Sequence, residues 1–367
     1  MRDPRQLSPA LLLVAQRSDA ADELRHRLEQ QPQAVAQGLI GKGLATYALA
    51  HLPEMDIDPA PIQASLAQAA LIELGWTAKR KLALAEVNRL AADGRPRMVF
   101  KGAATSILLY PQETWRWSGD IDVMMHEDDL TKLHPAAMAK LRAKQQEIPF
   151  PEHHIERQIV MGTAVELHYR LEFAPAWGAL SDLLPNARPC PGLPNLLVPA
   201  AETACTLALL HLLKHRGSMP FDFLDLALIE RGGLNWTQLA ENWRDAGIAA
   251  YTIAGLAAAH ELAGIGPADV VETLWNGLRG SDATCARFLR QCVLADALPR
   301  LRSYRFECLL MGIPFGRFCL RTFLGTRAAT QRLTGYAPRD PRFWLAHCLA
   351  LPCRRLWRLG TQGRRQQ

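Results

Sequence analysis

The 367-residue sequence lacks the features that mark several common protein classes. Its eight cysteines include no Cys-x-x-Cys pair, and most lie in apolar, helix-like surroundings, which fits reduced thiols better than a disulfide framework or a zinc site. The apolar run from Pro9 to Ala15 is too short to span a membrane, and no convincing signal-peptide cleavage site follows it. No repeat of fixed period is visible. These absences predict a globular protein of the cytoplasm.

Lysine is absent from the C-terminal fifth of the chain, and acids are scarce there. Between Arg300 and Gln367 there are fourteen arginines and two acids, whereas the remainder has six more acids than bases. This excess predicts contact with an anionic surface through residues 336–367, and three interpretations stay open. The segment can be a helix on an anionic membrane, which would make the protein membrane-peripheral. It can also bind a nucleic-acid backbone, or dock on the protein with its basic face solvated.

Apolar residues at three- and four-residue steps predict that the chain is helical on both sides of its middle. The longest predicted helix before residue 95 runs from 62 to about 92. Its polar side carries Lys79, Arg80 and Lys81. Beyond residue 175 the helical pattern returns, with a strongly amphipathic helix over 200–216 and another over 221–230.

The pattern changes between residues 96 and 173, where short apolar runs alternate with turn signals. We predict strands over 98–100, 121–125, 155–160 and 163–171, and helices over 103–110 and 128–141. The last two strands form a pair turned at Met161-Gly162. The expected fold is an α/β (α+β) core with a small mixed sheet, embedded in a mostly α-helical chain. Its divisions are an N-terminal helical segment, the core, a C-terminal helical region and an Arg-rich helical tail: residues 1–95, 96–173, 174–300 and 301–367.

Two acids on one predicted strand form the first candidate site. Asp120 and Asp122 are two residues apart, so their side chains point to the same face, while Ile121 and Val123 point into a core. Two carboxylates on one strand edge suit a divalent cation. Such a pair is common by chance, and capped or solvated acids are the alternative. Gly102 favours a site, because it allows a tight turn before a helix whose free N–H groups can bind phosphate.

A third acid extends this pattern. In the strand over 163–171, apolar residues alternate with Glu166 and His168, so Glu166 lies in the middle of a polar face, a poor place for an acid without a partner. Three carboxylates on neighbouring strands are the arrangement that two-metal nucleotidyl transfer requires, with one Mg²⁺ activating the attacking oxygen and the other neutralising the leaving pyrophosphate. We therefore predict that Asp120, Asp122 and Glu166 bind metal.

Several basic residues are candidates for contact with a nucleotide. Lys101 ends the first strand, and a phosphate contact and an ordinary strand-end lysine are equally good explanations of it. Arg116 can bind phosphate or pair with an acid such as Glu113, and Lys214 lies on a helix face that can meet the triphosphate. For His168 a structural hydrogen bond is the simpler explanation.

Two histidines form the last candidate site. His211 and His215 are four residues apart on one predicted helix, as zinc ligands can be, but no third ligand has a convincing position. We assign the nearby Asp222 and Asp225 to ion pairs or to the positioning of helices.

Together these residues resemble the uncharacterised nucleotidyltransferase family of the polymerase-β-like superfamily. The resemblance lies in three motifs in the same order: Lys101-Gly-Ala-Ala, Gly119-Asp-Ile-Asp-Val and Val165-Glu-Leu-His-Tyr-Arg170. It covers residues 8 to about 300. There are two departures: Ala103 replaces the hydroxyl residue of the superfamily's Gly-Ser motif, and Glu-Leu-His-Tyr stands where the family often has Asp-Leu-His-Trp.

The resemblance implies a nucleotidyltransferase core that moves a nucleoside monophosphate from an NTP to an acceptor and releases pyrophosphate. Asp120, Asp122 and Glu166 would hold two Mg²⁺ ions, with Mn²⁺ as a possible substitute. Glu166 or its metal would help to deprotonate the acceptor. Four residues would contact the nucleotide or frame its site: Lys101 and Gly102 along the triphosphate, and Ser118 and Gly119 at the strand entrance.

The sequence leaves the acceptor open among a small molecule, a peptide, a protein and a tRNA. Two alternatives come from other functional classes. One is a non-catalytic nucleotide-binding or regulatory protein of the same fold, which the missing hydroxyl at Ala103 favours. The other is an RNA- or membrane-binding module that acts through the basic tail.

Overall fold

A computed structural model describes residues 3–147, 154–155, 157–171, 177–295, 300–311 and 340–342. Nearly all of the Arg-rich segment 336–367 lies outside these ranges, so its contacts stay a prediction. Within them the chain forms one six-stranded mixed sheet in mostly helical surroundings, as the sequence predicts. Among the described helices, none has the length and apolarity needed to cross a membrane.

Five helices precede the sheet: α1 (Pro9–Val14), α2 (Ser18–Gln30), α3 (Pro32–Ile40), α4 (Ala45–His51) and α5 (Gln63–Leu90). Local signals start two of them. The hydroxyl of Ser8 accepts a hydrogen bond from the N–H of Leu11 at the start of α1, and a proline occupies the first turn of both α1 and α3. The buried apolar residues of α1 to α4 and of the first part of α5 belong to the same core as those of the C-terminal helices, whereas Ala83, Leu84 and Val87 of α5 belong to a second cluster.

Helix α5 buries one side along most of its length, and Arg80 lies on that side. Arg80 is fully buried, and its guanidinium donates to the backbone carbonyls of Arg116 (3.1 Å) and Glu113 (3.4 Å). The prediction that Arg80 shares the polar side of the helix is therefore wrong, although Lys79 and Lys81 are exposed. Arg80 follows the preceding buried position at a three-residue step, and this spacing places it inward despite its charge.

The sheet has the strand order β3-β4-β2-β1-β6-β5. Its strands are β1 (Met98–Phe100), β2 (Asp120–Met124), β3 (Gln158–Val160), β4 (Thr163–His168), β5 (Arg188–Cys190) and β6 (Leu193–Val198). β2 runs antiparallel to β1 and parallel to β4, and β6 runs parallel to β1. Ile121 and Val123 are buried in a second core cluster beneath the sheet, as predicted. The acidic strand β2 is thus paired on both edges.

The turn between β3 and β4 agrees with the sequence. Met161 and Gly162 both have positive φ (49° and 76°), the backbone conformation of a two-residue type I′ hairpin. The helices around β2 differ slightly from the prediction. α6 (Lys101–Leu109) begins two residues early, and two helices, α7 (Glu127–Leu133) and α8 (Pro135–Glu147), replace the single one over 128–141. Pro135 disfavours helical backbone at the residue before it, so the helix is interrupted there.

The hairpin of β5 and β6 contradicts the expectation that the chain is helical beyond residue 175. After a one-turn helix, α9 (Leu180–Leu183), these two strands extend the sheet on the far side of β1. Each strand contains a proline, Pro189 in β5 and Pro194 in β6. Because proline is rare inside strands, the sequence of these segments does not predict them.

Seven helices complete the described chain: α10 (Ala201–Lys214), α11 (Pro220–Arg231), α12 (Trp236–Asp245), α13 (Ala249–Ala263), α14 (Ala268–Gly277), α15 (Gly280–Leu294) and α16 (Arg300–Leu310). α10 has no broad polar face, in contrast to the amphipathic pattern predicted over 200–216. Nine of its residues are buried because α6, α11 and α13 all pack against it.

The carboxylate of Asp225 on α11 joins the helical region to the segment between α6 and β2. It is buried and accepts hydrogen bonds from the guanidinium of Arg116 (3.0–3.2 Å), the hydroxyl of Tyr110 (2.8 Å) and the hydroxyl of Thr105 (3.1 Å). Burial and the charge of Asp225 raise the pKa of Tyr110 well above its ordinary value. This carboxylate therefore holds α11 against the strand entrance of β2.

Replacing Asp225 by asparagine is expected to lower the free energy of unfolding by about 3–5 kcal/mol, because Arg116 is left buried without a counter-charge. Urea denaturation followed by circular dichroism measures this change. The matched variant Asp245→Asn changes an exposed acid on α12 and is expected to stay within about 0.5 kcal/mol of the wild type. Equal stability of the two variants would contradict the role given to Asp225.

Candidate functional site

A cleft of about 460 Å³ lies beside the N-terminal end of β2. One wall carries the acids of β2 and β4, and the opposite wall is formed by the end of α10 and the start of α11. All nine residues that the sequence predicts for metal or nucleotide binding line this cleft: Lys101, Gly102, Arg116, Ser118, Gly119, Asp120, Asp122, Glu166 and Lys214. The fold thus brings them together, while their roles stay predictions.

The register of β2 and β4 sets the spacing of the acids. The two strands are parallel, and Asp122 is paired with Glu166 while Asp120 is paired with Ala164. One ligand atom from each of Asp122, Glu166 and His168 lies within 4.8 Å of the others, which is close enough to hold one metal ion. Asp120 is one pleat further along β2 on the same face. The strand pairing therefore places three carboxylates at one end of the cleft.

Asp122 is the most deeply enclosed of these acids. It is 5% exposed, and one carboxylate oxygen, Oδ1, accepts from both Lys101 Nζ (2.7 Å) and His168 Nε2 (2.8 Å). Burial alone would raise its pKa, but the charge of Lys101 and the hydrogen bond from His168 hold the pKa of Asp122 well below its ordinary value. Asp122 is therefore charged over the whole physiological range, as a metal ligand must be.

The guanidinium of Arg157 pairs with the carboxylates of both Glu166 and Asp120. Arg157 donates to Glu166 Oε1 (2.9 Å from Nε), and its Nη2 lies 3.9 Å from Asp120 Oδ2. The proximity of His168 and the hydrogen bonds from Arg157 lower the pKa of Glu166 to about 2, against the effect of burial. Burial and the charges of Asp122 and Glu166 raise the pKa of Asp120 above its ordinary value. No sequence motif indicates a role for Arg157.

The donor atoms fit a hard divalent cation such as Mg²⁺ or Mn²⁺, because carboxylate oxygens dominate the cluster. His168 fits a supporting role better than that of a ligand. A metal-bound histidine ordinarily donates its second ring N–H to a partner, whereas the buried Nδ1 of His168 has no hydrogen-bond partner in the described part of the chain. Its Nε2–H donates to Asp122 instead, and this agrees with the structural hydrogen bond predicted for it.

The turn from β1 into α6 faces the same end of the cleft. Lys101 has a φ of +54°, an uncommon conformation for a residue with a side chain, and it directs its ammonium group to Asp122. The space around Gly102 is too small for a side chain, because an added Cβ would lie 2.7 Å from Ser118 Oγ and 3.3 Å from Arg116 Nη1. The backbone of α6 thus approaches the strand entrance closely, and its first N–H groups are suited to an anion.

Arg116 is engaged by protein rather than free for phosphate. Its guanidinium binds the buried Asp225 instead of Glu113, the acid named from the sequence, and also lies over the ring of Phe221 at 4.4 Å. Asp225 thus forms an ion pair, as expected for it. A phosphate contact by Arg116 stays a prediction, and it would have to use the edge of the guanidinium that faces the cleft.

The opposite wall contains a hydrogen-bonded chain that the sequence did not reveal as a unit. Asp222 Oδ1 accepts from His211 Nδ1 (2.7 Å), and His211 Nε2 lies 3.1 Å from His215 Nε2. Among the described residues, Asp122, Glu166 and His168 are the only group with metal-ligand spacing, and His211 and His215 are not part of it. The four-residue spacing identifies the two histidines in the sequence, but Asp222 contacts His211 only because α11 packs on α10.

Comparison with known proteins agrees with this geometry. The sequence pattern of the family described as uncharacterised nucleotidyltransferase matches residues 29–264, which include all three motifs and both walls of the cleft. The chain belongs to the uncharacterised nucleotidyltransferase family. No curated protein and no solved structure matches the chain. Membership of the nucleotidyltransferase family supports nucleotidyl transfer as the general activity and a nucleotide as a substrate.

In this nucleotidyltransferase, Gly102→Ala is expected to lower the free energy of unfolding by about 1–3 kcal/mol, because the new methyl group overlaps Ser118. Combining it with Ser118→Gly removes the overlap and should recover part of the loss. The matched variant Gly75→Ala adds a methyl group to open space on α5 and should raise stability by about 0.5–1 kcal/mol. Urea denaturation measures all three, and a Gly102→Ala protein as stable as wild type would contradict the close approach.

His215 makes the stability of the folded protein depend on pH. Burial, with the charges of His211 and Lys214, lowers the pKa of His215 from its ordinary 6.5 to about 4. The unfolded chain therefore binds a proton at His215 as the pH falls below about 6.5, whereas the folded chain binds it only near pH 4. The contribution of His215 to the free energy of unfolding is therefore fully present above pH 6.5 and is lost as the pH falls through this window. In His215→Gln the decrease in the free energy of unfolding over this pH range should be smaller by roughly 2–4 kcal/mol.

Denaturation curves between pH 7 and 4 test this expectation. His26→Gln is the matched control, because His26 is exposed on α2 and should leave the pH dependence unchanged. Parallel pH profiles for wild type and His215→Gln would show that His215 is not held neutral by the fold.

Proposed function

We propose that the chain transfers a nucleoside monophosphate from an NTP to an acceptor, in a reaction that depends on Mg²⁺ or Mn²⁺ and releases pyrophosphate. The observation that supports it most is the meeting of Asp120, Asp122 and Glu166 at one end of a cleft that also receives the N-terminus of α6. Carboxylates and an anion-binding helix start are the two parts that a metal-bound triphosphate needs.

The three carboxylates are the proposed metal ligands. Bound divalent cations would supply Lewis-acid stabilisation of the charge that develops on the α-phosphate and on the leaving pyrophosphate. The contribution of the chain is to hold the carboxylates in place. Paired strands fix Asp122 opposite Glu166, and the buried Nε2–H of His168 orients the carboxylate of Asp122.

The triphosphate is proposed to lie along the start of α6. Lys101 is strained into a positive φ so that its ammonium group enters the cleft, and a phosphate oxygen can replace Asp122 as one of its partners. Gly102 lets the backbone N–H groups come close to the ligand. Ala103 carries no hydroxyl, but Ser118 Oγ lies next to Gly102 and supplies a hydroxyl at the same end of the cleft. This arrangement weakens the case for a non-catalytic protein.

Asp122→Asn keeps the shape of the side chain but removes its charge. Pyrophosphate release from a labelled NTP in the presence of Mg²⁺ or Mn²⁺ is expected to fall by about 100-fold or more, because a neutral amide is a poor ligand for either ion. Asparagine is preferred to alanine here, since alanine would leave Lys101 and His168 without their shared acceptor.

Two controls separate chemistry from folding. Asp128→Asn changes an exposed acid on α7 and should release pyrophosphate at the wild-type rate. Mn²⁺ binding followed by electron paramagnetic resonance should be weakened in Asp122→Asn and in Glu166→Gln but not in Asp128→Asn. Full activity of Asp122→Asn would refute the assignment, and a wild-type protein that binds NTP without releasing pyrophosphate would favour the non-catalytic alternative.

A further inference from the structure

The resemblance to the family assigns removal of the acceptor proton to Glu166 or its metal, but the carboxylate of Glu166 is already bound by Arg157. A hydroxyl acceptor must lose its proton when it attacks phosphorus, and Asp120, Asp122 and Glu166 are all committed to metal. The opposite wall of the same cleft carries the chain of Asp222, His211 and His215 described above.

Hydrogen-bond chemistry fixes the direction of this chain. The carboxylate of Asp222 can only accept, so His211 donates from Nδ1–H, and a neutral His211 then has a lone pair on Nε2. The contact of 3.1 Å between the two Nε2 atoms needs one proton, which must therefore be on His215. His215 is left with an unprotonated Nδ1. The chain therefore ends in a basic nitrogen on His215, which lines the cleft together with His211 and Asp222.

The surroundings of His215 favour its neutral form. Burial of the ring is the largest effect, positive charge on His211, Lys214 or Lys101 adds to it, and the carboxylate of Asp222 only partly offsets them. These effects lower the pKa of His215 to about 4, so at neutral pH its ring is a base rather than a cation.

We propose that His215 is the base that removes the proton of the acceptor, and that the acceptor is therefore a hydroxyl compound rather than a phosphate or a carboxylate. Phosphates and carboxylates are already ionised at neutral pH and have no proton that needs a base. The proposal rests on the function proposed above and adds to it the chemical class of the acceptor.

The acceptor O–H bond breaks and its proton goes to Nδ1 of His215, while the acceptor oxygen forms a bond to the α-phosphorus of the NTP. The bond from the α-phosphorus to the bridging oxygen breaks, and pyrophosphate leaves with that electron pair. His215 can pass its Nε2 proton to His211, so the positive charge ends beside the buried carboxylate of Asp222.

Asp222 acts as a positioning residue in this scheme. It is 2% exposed, and its Oδ2 has no hydrogen-bond partner within the described part of the chain. A buried, incompletely satisfied carboxylate is costly unless a positive charge forms next to it. It fixes the tautomer of His211 and stabilises the imidazolium that follows proton transfer, as the aspartate does in serine–histidine–aspartate triads.

The first test uses radiolabelled NTP with metal and two simple acceptors, glycerol for hydroxyls and inorganic phosphate for anions. His215→Gln is expected to lower transfer to glycerol and water by about 100-fold or more, while the rate of transfer to phosphate stays within a few-fold of wild type. Added imidazole should restore glycerol transfer in His215→Ala, because it supplies the missing base. His260→Gln changes a half-buried histidine on α13 outside the cleft and should transfer normally.

The outcomes separate the two proposals. Wild-type glycerol transfer by His215→Gln, or an equal loss with both acceptors and no rescue by imidazole, would overturn the role of His215 while leaving nucleotidyl transfer intact. A wild-type protein that releases no pyrophosphate with any NTP would overturn the proposed function and this inference with it.

A second test needs neither metal nor NTP. Ring ¹⁵N signals in the NMR spectrum of the folded protein at pH 7 should show His215 neutral with its proton on Nε2, and His211 with its proton on Nδ1. In Asp222→Asn the tautomer of His211 is no longer fixed, so its ring signals should shift. A doubly protonated His215, or a proton on its Nδ1, would overturn the proposal whatever the activity.

Discussion

The buried ion pair of Arg116 and Asp225 is the contact on which the site depends. Arg116 leads into β2 and Asp225 lies on α11, so the pair holds the strand that carries the acids against the helix that carries Asp222. Two charges taken out of water must each find a partner, which makes the geometry specific although the net gain in stability is small. The pair therefore helps to set the separation of the two walls, together with the packing of α6 against α10 and α11.

In the proposed reaction the two walls of the cleft have different roles. Strand pairing on one side sets the carboxylates at a distance that suits divalent ions, and helix packing on the other sets two imidazoles in line behind a carboxylate. Each wall uses a buried hydrogen-bond partner to orient its working group. On the strand side the histidine His168 orients an acid, and on the helix side the acid Asp222 orients a histidine.

Much of the strand wall can be predicted from the sequence, because it follows from local periodicity. The two-residue step of Asp120 and Asp122, the alternation around Glu166 and the Met161-Gly162 turn are all local signals, and the fold agrees with them. The motif order also indicated the family before any tertiary contact was known.

The helix wall depends on contacts that no local pattern contains. His211 meets Asp222 only because the chain reverses between α10 and α11 at Arg216 and Gly217, both with positive φ (51° and 65°). Local patterns also mispredict the burial of Arg80 and the β5–β6 hairpin. The charge of Arg80 predicts that this side chain is exposed, and the prolines of β5 and β6 predict that these segments are not strands. Tertiary packing overrides both predictions.

The ion pairs of the acidic cluster have a consequence for the order of ligand binding. Lys101, Arg157 and His168 already occupy the oxygens of Asp122 and Glu166, so the cluster has little uncompensated negative charge to offer an incoming cation. In the proposed complex an anionic triphosphate would give Lys101 and Arg157 a new partner and would release the carboxylates at the same time. Metal and nucleotide are therefore expected to bind with positive cooperativity, each raising the affinity of the site for the other.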